Sequence, residues 1–190
     1  MLKDLILKNR SYRRFYEAEP ISFDQLCEWV DLARNSASAR NAQPLKYWLS
    51  AEVALNAGIF ENLAWAGYLT DWPGPEEGER PSAYIVMLRD NQIPGNYLCD
   101  DGIASQSILL GATEAGFGGC IIHAVNRDKL RSLLGLPENL EIVQVIALGK
   151  PKESVVLEEM KNEDVKYWRD ENQVHHVPKR SLEEIIVNRR

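Results

Sequence analysis

Residues 97–122, YLCDDGIASQSILLGATEAGFGGCII, decide the fold. Residues 97–115 are the longest helix candidate in the chain, because their apolar side chains cover more than one narrow helical stripe. Such a helix is buried on most sides, either in the centre of the domain or at a subunit interface. Gly116-Phe-Gly-Gly then breaks the helix, and Cys120-Ile-Ile begins a short strand. The minimal role of the glycines is a helix C-cap; the alternative is close approach of free backbone N–H groups to a flat ligand.

Patterns on either side of this stretch predict a mixture of helices and strands. The predicted helices cover residues 2–9, 22–35 with Ser22 and Gln25 as a capping box, about 52–66, and 126–134. The predicted strands cover residues 46–51, 82–88 and 141–148. Turn-forming residues predict an exposed loop over 71–81. Since helices and strands alternate without a strict βα repeat, the predicted fold class is α+β, or a three-layer α/β sandwich.

Length and composition predict one domain over residues 1–190. Hydrophobic residues make up 45% of the chain and charged residues 26%, which is ordinary for a globular protein. Residues 152–190 differ, because they hold 17 charges and few apolar clusters. They are expected to form a C-terminal arm that packs along the domain or on a partner subunit.

Charge, hydropathy and cysteine usage argue against several classes of protein. No apolar run approaches the roughly 18 residues that a membrane span needs, and the N-terminus lacks the features of a signal peptide. Cys27, Cys99 and Cys120 are widely spaced and odd in number, which favours reduced thiols and a cytoplasmic location. A net charge of −6 makes nucleic acid an unfavourable partner. Adjacent His175 and His176 point apart in an extended segment, so no metal site is expected.

Residues 9–15, Asn-Arg-Ser-Tyr-Arg-Arg-Phe, concentrate positive charge in this acidic chain. Residues 1–15 carry +4, which leaves −10 for the remainder of a chain whose net charge is −6. Arginine offers a planar fork for phosphate oxygens, and Ser11 adds a neutral donor. A positive cluster in a negative protein suits a small phosphate-bearing ligand better than a long polyanion. A solvated basic turn after a short helix is the alternative.

Two further segments carry candidate binding chemistry. Residues 36–44, SASARNAQP, place Ser38, Asn41 and Gln43 as neutral donors and acceptors, which suit a heterocycle edge or a polyol; loop punctuation is the alternative. The glycines at 111–119 match neither a phosphate-binding loop, which needs Lys after the second glycine, nor a dinucleotide fingerprint, which follows a strand. Cys120 is interpreted as a small buried residue rather than a nucleophile.

Taken together, these segments resemble the nitroreductase family of flavin enzymes. Residues 9–15 resemble its R-R-S-x-R-x-F signature, with Asn9 in place of the first arginine. Residues 38–44 resemble its S-x-x-N-x-Q-P-W loop, residues 101–118 its D-x-x-x-A-x-x-N-x-x-L-x-A-x-x-x-G-L-G helix, and residues 179–187 its closing R-x-P-L-x-E-x-V segment. The order and spacing of the segments agree across nearly the whole chain.

The resemblance implies a nitroreductase-like fold, with a central, mostly antiparallel sheet flanked by helices and an extended C-terminal arm. It also implies an FMN-bound homodimer with the flavin at the subunit interface, and no catalytic side chain beyond the flavin. NAD(P)H would reduce the flavin, which would reduce nitro-aromatic, quinone or similar flat acceptors by a ping-pong route. The implied FMN contacts are Arg10, Ser11, Arg13, Ser38, Asn41, Gln43, Gly118, Gly119, Cys120, Ile121, and Lys179 or Arg180.

Two other hypotheses about the function are consistent with the sequence. One is a flavin-binding or redox-sensing module without robust turnover. The other is a flavin-less homologue whose arginines form surface ion pairs with its many acids.

Overall fold

The computed structural model describes residues 1–188 and has strand β5 at the centre of its main sheet. Its helices are α1 (Leu2–Lys8), α2 (Phe23–Arg34), α3 (Val53–Phe60), α4 (Asp100–Glu114), α5 (Arg127–Leu134) and α6 (Leu182–Ile185). Its strands are β1 (Phe15–Tyr16), β2 (Leu45–Ser50), β3 (Ala83–Asp90), β4 (Gly118–Ile122), β5 (Leu140–Pro151), β6 (Val155–Glu159), β7 (Trp168–Arg169) and β8 (His175–Lys179).

The main sheet is antiparallel throughout. One edge of β5 pairs with β3, which pairs in turn with the outer strand β2. The other edge of β5 is shared: β4 pairs with residues 145–149, and β1 pairs with residues 150–151. Because β1 and β4 pair with neighbouring parts of this edge, the segment from residue 9 to residue 15 passes beside the first residues of β4. The topology therefore brings the basic segment next to the glycines that follow α4.

Alternation along β3 shows why two helical layers cover the sheet. Ala83, Ile85 and Met87 point into a core cluster built with α2 and α4. The intervening residues Tyr84, Val86 and Leu88 point into a second cluster, with residues of α3 and α5. Because successive side chains of a strand face opposite sides, one fully apolar strand serves both layers. The predicted three-layer arrangement of helices around a mostly antiparallel sheet is confirmed.

The break after α4 has the geometry of a glycine C-cap. Gly116 has a φ of +81°, a left-handed conformation that glycine adopts without steric cost. The Phe117 N–H donates to the Ala112 carbonyl at 2.8 Å, and the Gly116 N–H donates to the Thr113 carbonyl at 3.1 Å. These are the paired hydrogen bonds of a Schellman motif. Strand β4 then begins at Gly118, before the predicted start at Cys120.

The predicted helix over 52–66 is too long, since α3 ends at Phe60. Beyond it the chain pairs with the segment after β4: the Ala64 N–H donates to the Ala124 carbonyl at 2.9 Å, and the Asn126 N–H donates to the Asn62 carbonyl at 2.9 Å. The remaining predicted helices and strands are confirmed with end shifts of a few residues. In α2, Ser22 and Gln25 form the predicted capping box.

The C-terminal arm folds back on its own domain. Within it, β8 lies between β6, to which it is parallel, and β7, to which it is antiparallel. Arg169 Nη2 donates to Glu153 Oε2 at 2.9 Å, with both side chains buried, and the guanidinium lies 4.2 Å from the centre of the Trp72 ring. Packing along the domain is therefore observed, while contact of the arm with a partner subunit stays a prediction. No helix within residues 1–188 has the length and apolarity to cross a bilayer.

Candidate functional site

The basic segment is tied to strand β4 by backbone contacts. Ser11 forms a parallel bridge with Gly119, and the Tyr12 N–H donates to the Gly119 carbonyl at 3.0 Å. The Tyr12 hydroxyl donates to the Lys8 carbonyl at 2.8 Å, which closes the turn at the end of α1. Residues 10–13 therefore have a defined path, unlike a solvated basic turn.

Beside this segment lies a cavity of about 340 Å³, here called the arginine cavity. Its lining residues are Asn9, Arg10, Ser11, Arg13, Gln106, Leu109, Ile121, Val155, Tyr167, His175, Val177 and Lys179. Three of the lining side chains are cationic (Arg10, Arg13 and Lys179), and no lining side chain in the described part of the chain is a carboxylate. The cavity is thus a local positive site in an acidic protein.

The arginines of the segment differ in their partners. Arg14 forms a bidentate pair with Glu79, with distances of 2.5 and 2.6 Å, and its hydrogen bonds lower the pKa of Glu79 to about 2. Arg10 Nη2 instead donates to the Ile6 carbonyl at 2.6 Å, and the buried Arg10 Nε has no partner among the residues that the structure describes. Arg13 Nη1 donates to the Ser11 carbonyl at 3.2 Å. Within residues 1–188 neither the Arg10 nor the Arg13 guanidinium forms a salt bridge, so their charges are free to meet an anion.

The C-terminal arm supplies the other wall of the arginine cavity. Nε2 of the buried His175 lies 3.3 Å from Arg13 Nη1, and the Arg13 guanidinium lies 4.8 Å from the centre of the Tyr167 ring. Burial, followed by the charges of Arg13 and Arg169, lowers the pKa of His175 to about 4. Neither His175 nor Tyr167 was predicted as a site residue. Alternation along β8 could have found His175, because His175, Val177 and Lys179 share one face and all line the cavity.

The predicted polar loop lies in a different cavity, of about 280 Å³, which contains Ser38 and Gln43 but no residue of the arginine cavity. The Ser38 hydroxyl donates to the buried Asp100 carboxylate at 2.6 Å and accepts from the Gln43 N–H at 2.9 Å. Arg40, Asn41 and Gln43 all have left-handed backbones, with φ values of 55°, 55° and 51°. Non-glycine residues held in this conformation are strained, which is typical of loops shaped for binding.

The structure therefore divides the predicted contacts among several places. Those that line the arginine cavity are Arg10, Ser11, Arg13, Ile121 and Lys179. Asn41 accompanies Gln43 in the other loop, with Gln43 Nε2 3.2 Å from Asn41 Oδ1. Arg180 is paired with Glu184 on α6, so of the two alternatives only Lys179 lines the cavity. Cys120 is buried in β4, and this burial raises the pKa of its thiol, as expected for a small core residue.

The glycines of β4 approach protein atoms rather than open space. A Cβ on Gly119 would lie 2.4 Å from the Ala147 carbonyl oxygen, and one on Gly118 would lie 2.6 Å from the Tyr12 ring. The Gly119 carbonyl is also occupied by the Tyr12 N–H. In the single chain, the missing side chains make room for Tyr12 and β5, and the approach of this backbone to a flat ligand stays a prediction.

Fold and site together define a three-layer α/β protein with a positively charged cavity between its N-terminal segment and its C-terminal arm. The model of the nitroreductase family matches residues 83–150. A relative from Archaeoglobus fulgidus, provisionally named an NADH dehydrogenase/NAD(P)H nitroreductase, is 27% identical over 157 residues, which cover 78% of this chain and 84% of the relative.

Solved structures agree with these sequence matches. A nitroreductase family protein from Clostridium novyi NT has a TM-score of 0.65 and 28% identity, over 80% of this chain and 87% of its own. One from Streptococcus pneumoniae TIGR4 has a TM-score of 0.70 over 100% of both chains, and its 16% identity bears on the fold alone. The chain is a relative of the nitroreductase family in sequence and has the nitroreductase fold, so the predicted resemblance is confirmed.

Proposed function

We propose that the protein is an FMN-dependent oxidoreductase that transfers electrons from NAD(P)H to nitro-aromatic, quinone or similar flat acceptors. The observation that carries this proposal is the arginine cavity, where Arg10, Arg13 and Lys179 surround one space without an opposing carboxylate among the described lining residues. An FMN phosphate would satisfy this charge, since arginine binds phosphate oxygens through charge-assisted hydrogen bonds.

The other lining residues also fit FMN. Leu109, Ile121, Val155 and Val177 give the cavity an apolar wall suited to a flat ring. Two buried donor groups on the lining residues, Arg10 Nε and His175 Nδ1, have no hydrogen-bond partner in the described part of the chain. Because a buried polar group without a hydrogen bond is costly, these atoms favour a ligand with acceptor oxygens. Arg10, Ser11, Arg13 and Lys179 would hold the phosphate and ribityl end.

The side chains of this site are suited to binding and orientation. When bound, FMN supplies the chemistry, accepting hydride from NAD(P)H and passing electrons to the acceptor in a ping-pong sequence. Cys120 needs no part in it, because burial keeps its thiol protonated. The Arg13 guanidinium, held between Ser11 and His175, is positioned before the ligand arrives.

A second copy of the chain completes the proposed site. Ser38, Asn41 and Gln43 are implied FMN contacts, yet their cavity shares no residue with the arginine cavity of the same chain. We therefore propose a homodimer in which the polar loop of one copy faces the arginine cavity of the other. The free cysteines Cys27, Cys99 and Cys120 favour the cytoplasm as its location.

A flavin titration followed by reduction tests the proposal. Purified protein stripped of small molecules is titrated with FMN and then mixed anaerobically with NADH or NADPH. The proposal expects stoichiometric FMN binding, bleaching of the flavin absorption by a nicotinamide donor, and recovery on addition of menadione. Bound FMN that stays oxidised under excess of both donors would instead support the flavin-binding module. Failure to take up FMN at all would refute both.

A further inference from the structure

We propose that His175 is a positioning residue of the anion site, which holds the Arg13 guanidinium in place and offers its own Nδ1–H to the phosphate-bearing ligand. The proposal rests on the proposed function, since it names a residue that sets the phosphate preference of the same cavity. Neither the motifs of the chain nor the resemblance to the nitroreductase family assigns this histidine a role.

The contact with Arg13 settles which ring nitrogen carries the proton. Nε2 of His175 lies 3.3 Å from Arg13 Nη1. A guanidinium has five N–H donors and no acceptor, so a hydrogen bond at this distance requires Nε2 to accept. The proton of the neutral ring is then on Nδ1. His175 is therefore an acceptor towards Arg13 and a donor on its other side.

Within residues 1–188, the donor side of His175 has no hydrogen-bond partner. The residue is 1% exposed, it lines the arginine cavity, and Nδ1 is buried without a hydrogen-bond partner. The Glu153 carboxylate bonds elsewhere, since it accepts from Arg169 Nη2 at 2.9 Å and from the backbone N–H of Arg13, and it forms no hydrogen bond with Nδ1. An oxygen-bearing ligand in the cavity would satisfy Nδ1 and remove the cost of leaving it bare.

The surroundings keep His175 in this neutral state. Burial, and then the charges of Arg13 and Arg169, disfavour a charge on the ring, and the pKa of His175 falls to about 4. A protonated ring would lose its acceptor and repel Arg13. The neutral ring instead orients the guanidinium, together with the Tyr167 ring, which lies 5.1 Å from the imidazole centre and 4.8 Å from the guanidinium carbon.

His176 provides a matched control because it lies on the opposite face of the same strand. Its ring bonds with Glu158 and Asp170 and stacks on Trp168 at 4.1 Å, and it does not line the arginine cavity. A substitution there disturbs the arm without touching Arg13. Differences between the variants of the two histidines therefore report on the cavity rather than on the strand.

The test compares the affinities of FMN and riboflavin, which differ by the phosphate. Dissociation constants are measured by fluorescence titration for the wild type, His175→Met, His175→Gln and His176→Met. We expect His175→Met to weaken FMN binding about tenfold or more and riboflavin binding much less, as for the loss of a hydrogen bond to a charged group. Glutamine can accept from Arg13, so His175→Gln should restore most of the FMN preference, and His176→Met should retain it. An unchanged FMN-to-riboflavin ratio in His175→Met overturns the proposal.

A measurement on the wild type applies if His175→Met does not fold. The ¹⁵N resonances of the imidazole at neutral pH should show a protonated Nδ1 and an unprotonated Nε2, and FMN should shift the Nδ1 resonance. A protonated Nε2, or an Nδ1 resonance that ignores saturating FMN, overturns the inference. Wild-type protein that binds no FMN refutes the proposed function instead, so the two failures are distinguishable.

Discussion

Neighbouring arginines of the same segment have opposite roles because their partners differ. Arg14 forms a salt bridge with Glu79, which also accepts from Lys152 at 2.9 Å. The positive charge of Arg14 is therefore neutralised within the protein. Arg10 and Arg13 bind backbone carbonyls, which satisfy donors without cancelling charge. Charge that remains uncompensated next to a cavity is what attracts an anion. The hypothesis that the arginines of this segment form ion pairs with acidic residues therefore holds for Arg14 and fails for Arg10 and Arg13.

Removing the uncompensated charges should abolish flavin retention. We expect Arg10→Ala combined with Arg13→Ala to weaken FMN binding by about a hundredfold or more, since each lost contact to a charged group costs about 1.5–3 kcal/mol. Fluorescence titration measures the loss. The matched control is Arg14→Ala with Lys152→Ala, which also removes two positive charges but leaves the lining of the cavity intact. That pair should melt at a lower temperature and keep its FMN affinity; equal affinity losses in both double variants would place the phosphate elsewhere.

Among the elements, β4 shows how closely the strands around the site are packed. Its N-terminal half carries no side chains, which lets Tyr12 and β5 lie against its backbone. The bridge between Ser11 and Gly119 then sets the position of the basic segment. The packing of β4 and the location of the arginine cavity are thus linked through one short stretch of glycine.

A single methyl group should disrupt this packing. We expect Gly119→Ala to lower the free energy of unfolding by about 3 kcal/mol, because its Cβ would lie 2.4 Å from the Ala147 carbonyl oxygen and backbone must move. Urea unfolding of the FMN-free protein measures the change. Gly102→Ala is the control: a Cβ there meets nothing within 4 Å in helix α4, so it should raise stability by about 1 kcal/mol. Equal effects of the two substitutions would contradict the packing described for β4.

The C-terminal arm should be most stable near the ordinary pKa of histidine. The pKa of His175 falls from 6.5 to about 4, so the unfolded state binds more protons between these values and stability declines as the pH drops through this window. Burial opposes protonation of His176, but hydrogen bonds with Glu158 and Asp170 outweigh it and raise its pKa above 6.5. The contribution of His176 to the stability of the folded state is complete below pH 6.5 and is lost as the pH rises through its raised pKa.

Urea unfolding measured from below the lowered pKa of His175 to above the raised pKa of His176 checks both predicted changes of stability with pH. Relative to the wild type, His175→Gln should flatten the acidic side of the stability profile, and His176→Gln should flatten the alkaline side. If His175→Gln left the acidic side unchanged while the protein still unfolded in one transition, the assignment of a neutral buried ring would be wrong.

At the scale of the whole molecule, the two polar sites of one chain lie in separate cavities. The arginine cavity lies between the basic segment and the arm, whereas the strained loop at residues 38–43 lies between α2, β2 and the start of α4. One copy therefore offers two surfaces: one is lined by the cations Arg10, Arg13 and Lys179, and the other combines charges of both signs with the polar side chains of Ser38 and Gln43. Two copies related by a twofold axis would pair each with its counterpart.

Mixing two defective variants should restore function if the site is shared. We expect Arg10→Ala with Arg13→Ala, and separately Asn41→Ala with Gln43→Ala, each to bind FMN poorly. Mixed chains that exchange subunits should recover about a quarter of the wild-type sites, because half of the dimers are mixed and each holds one intact site. FMN bound per chain after gel filtration measures the recovery. No recovery in a verified mixed dimer would mean that the polar loop serves the cavity of its own chain, or no flavin at all.

Most helices and strands can be predicted from local sequence patterns. The predicted boundaries are wrong where contact with a segment distant in the sequence determines the end of an element. The capping box of α2 and the glycine C-cap of α4 act within a few residues, so the sequence predicts them. The end of α3 was missed because pairing with residues 124–126 ends it. The start of β4 was missed because glycine has low strand propensity and only the approach of Tyr12 explains it.

By itself, the sequence determined the layers, the basic segment and the likeness to the nitroreductase family, because hydrophobic period, charge and motif spacing are local properties. Only the tertiary structure decided which cations face the cavity. It paired Arg14 with Glu79, and it brought Lys179 and His175 beside Arg13 from more than 160 residues along the chain. Whether a cation is neutralised or faces the cavity depends on which carboxylates and strands lie near it after folding. Residue type alone does not determine the distances between residues that are far apart in the sequence.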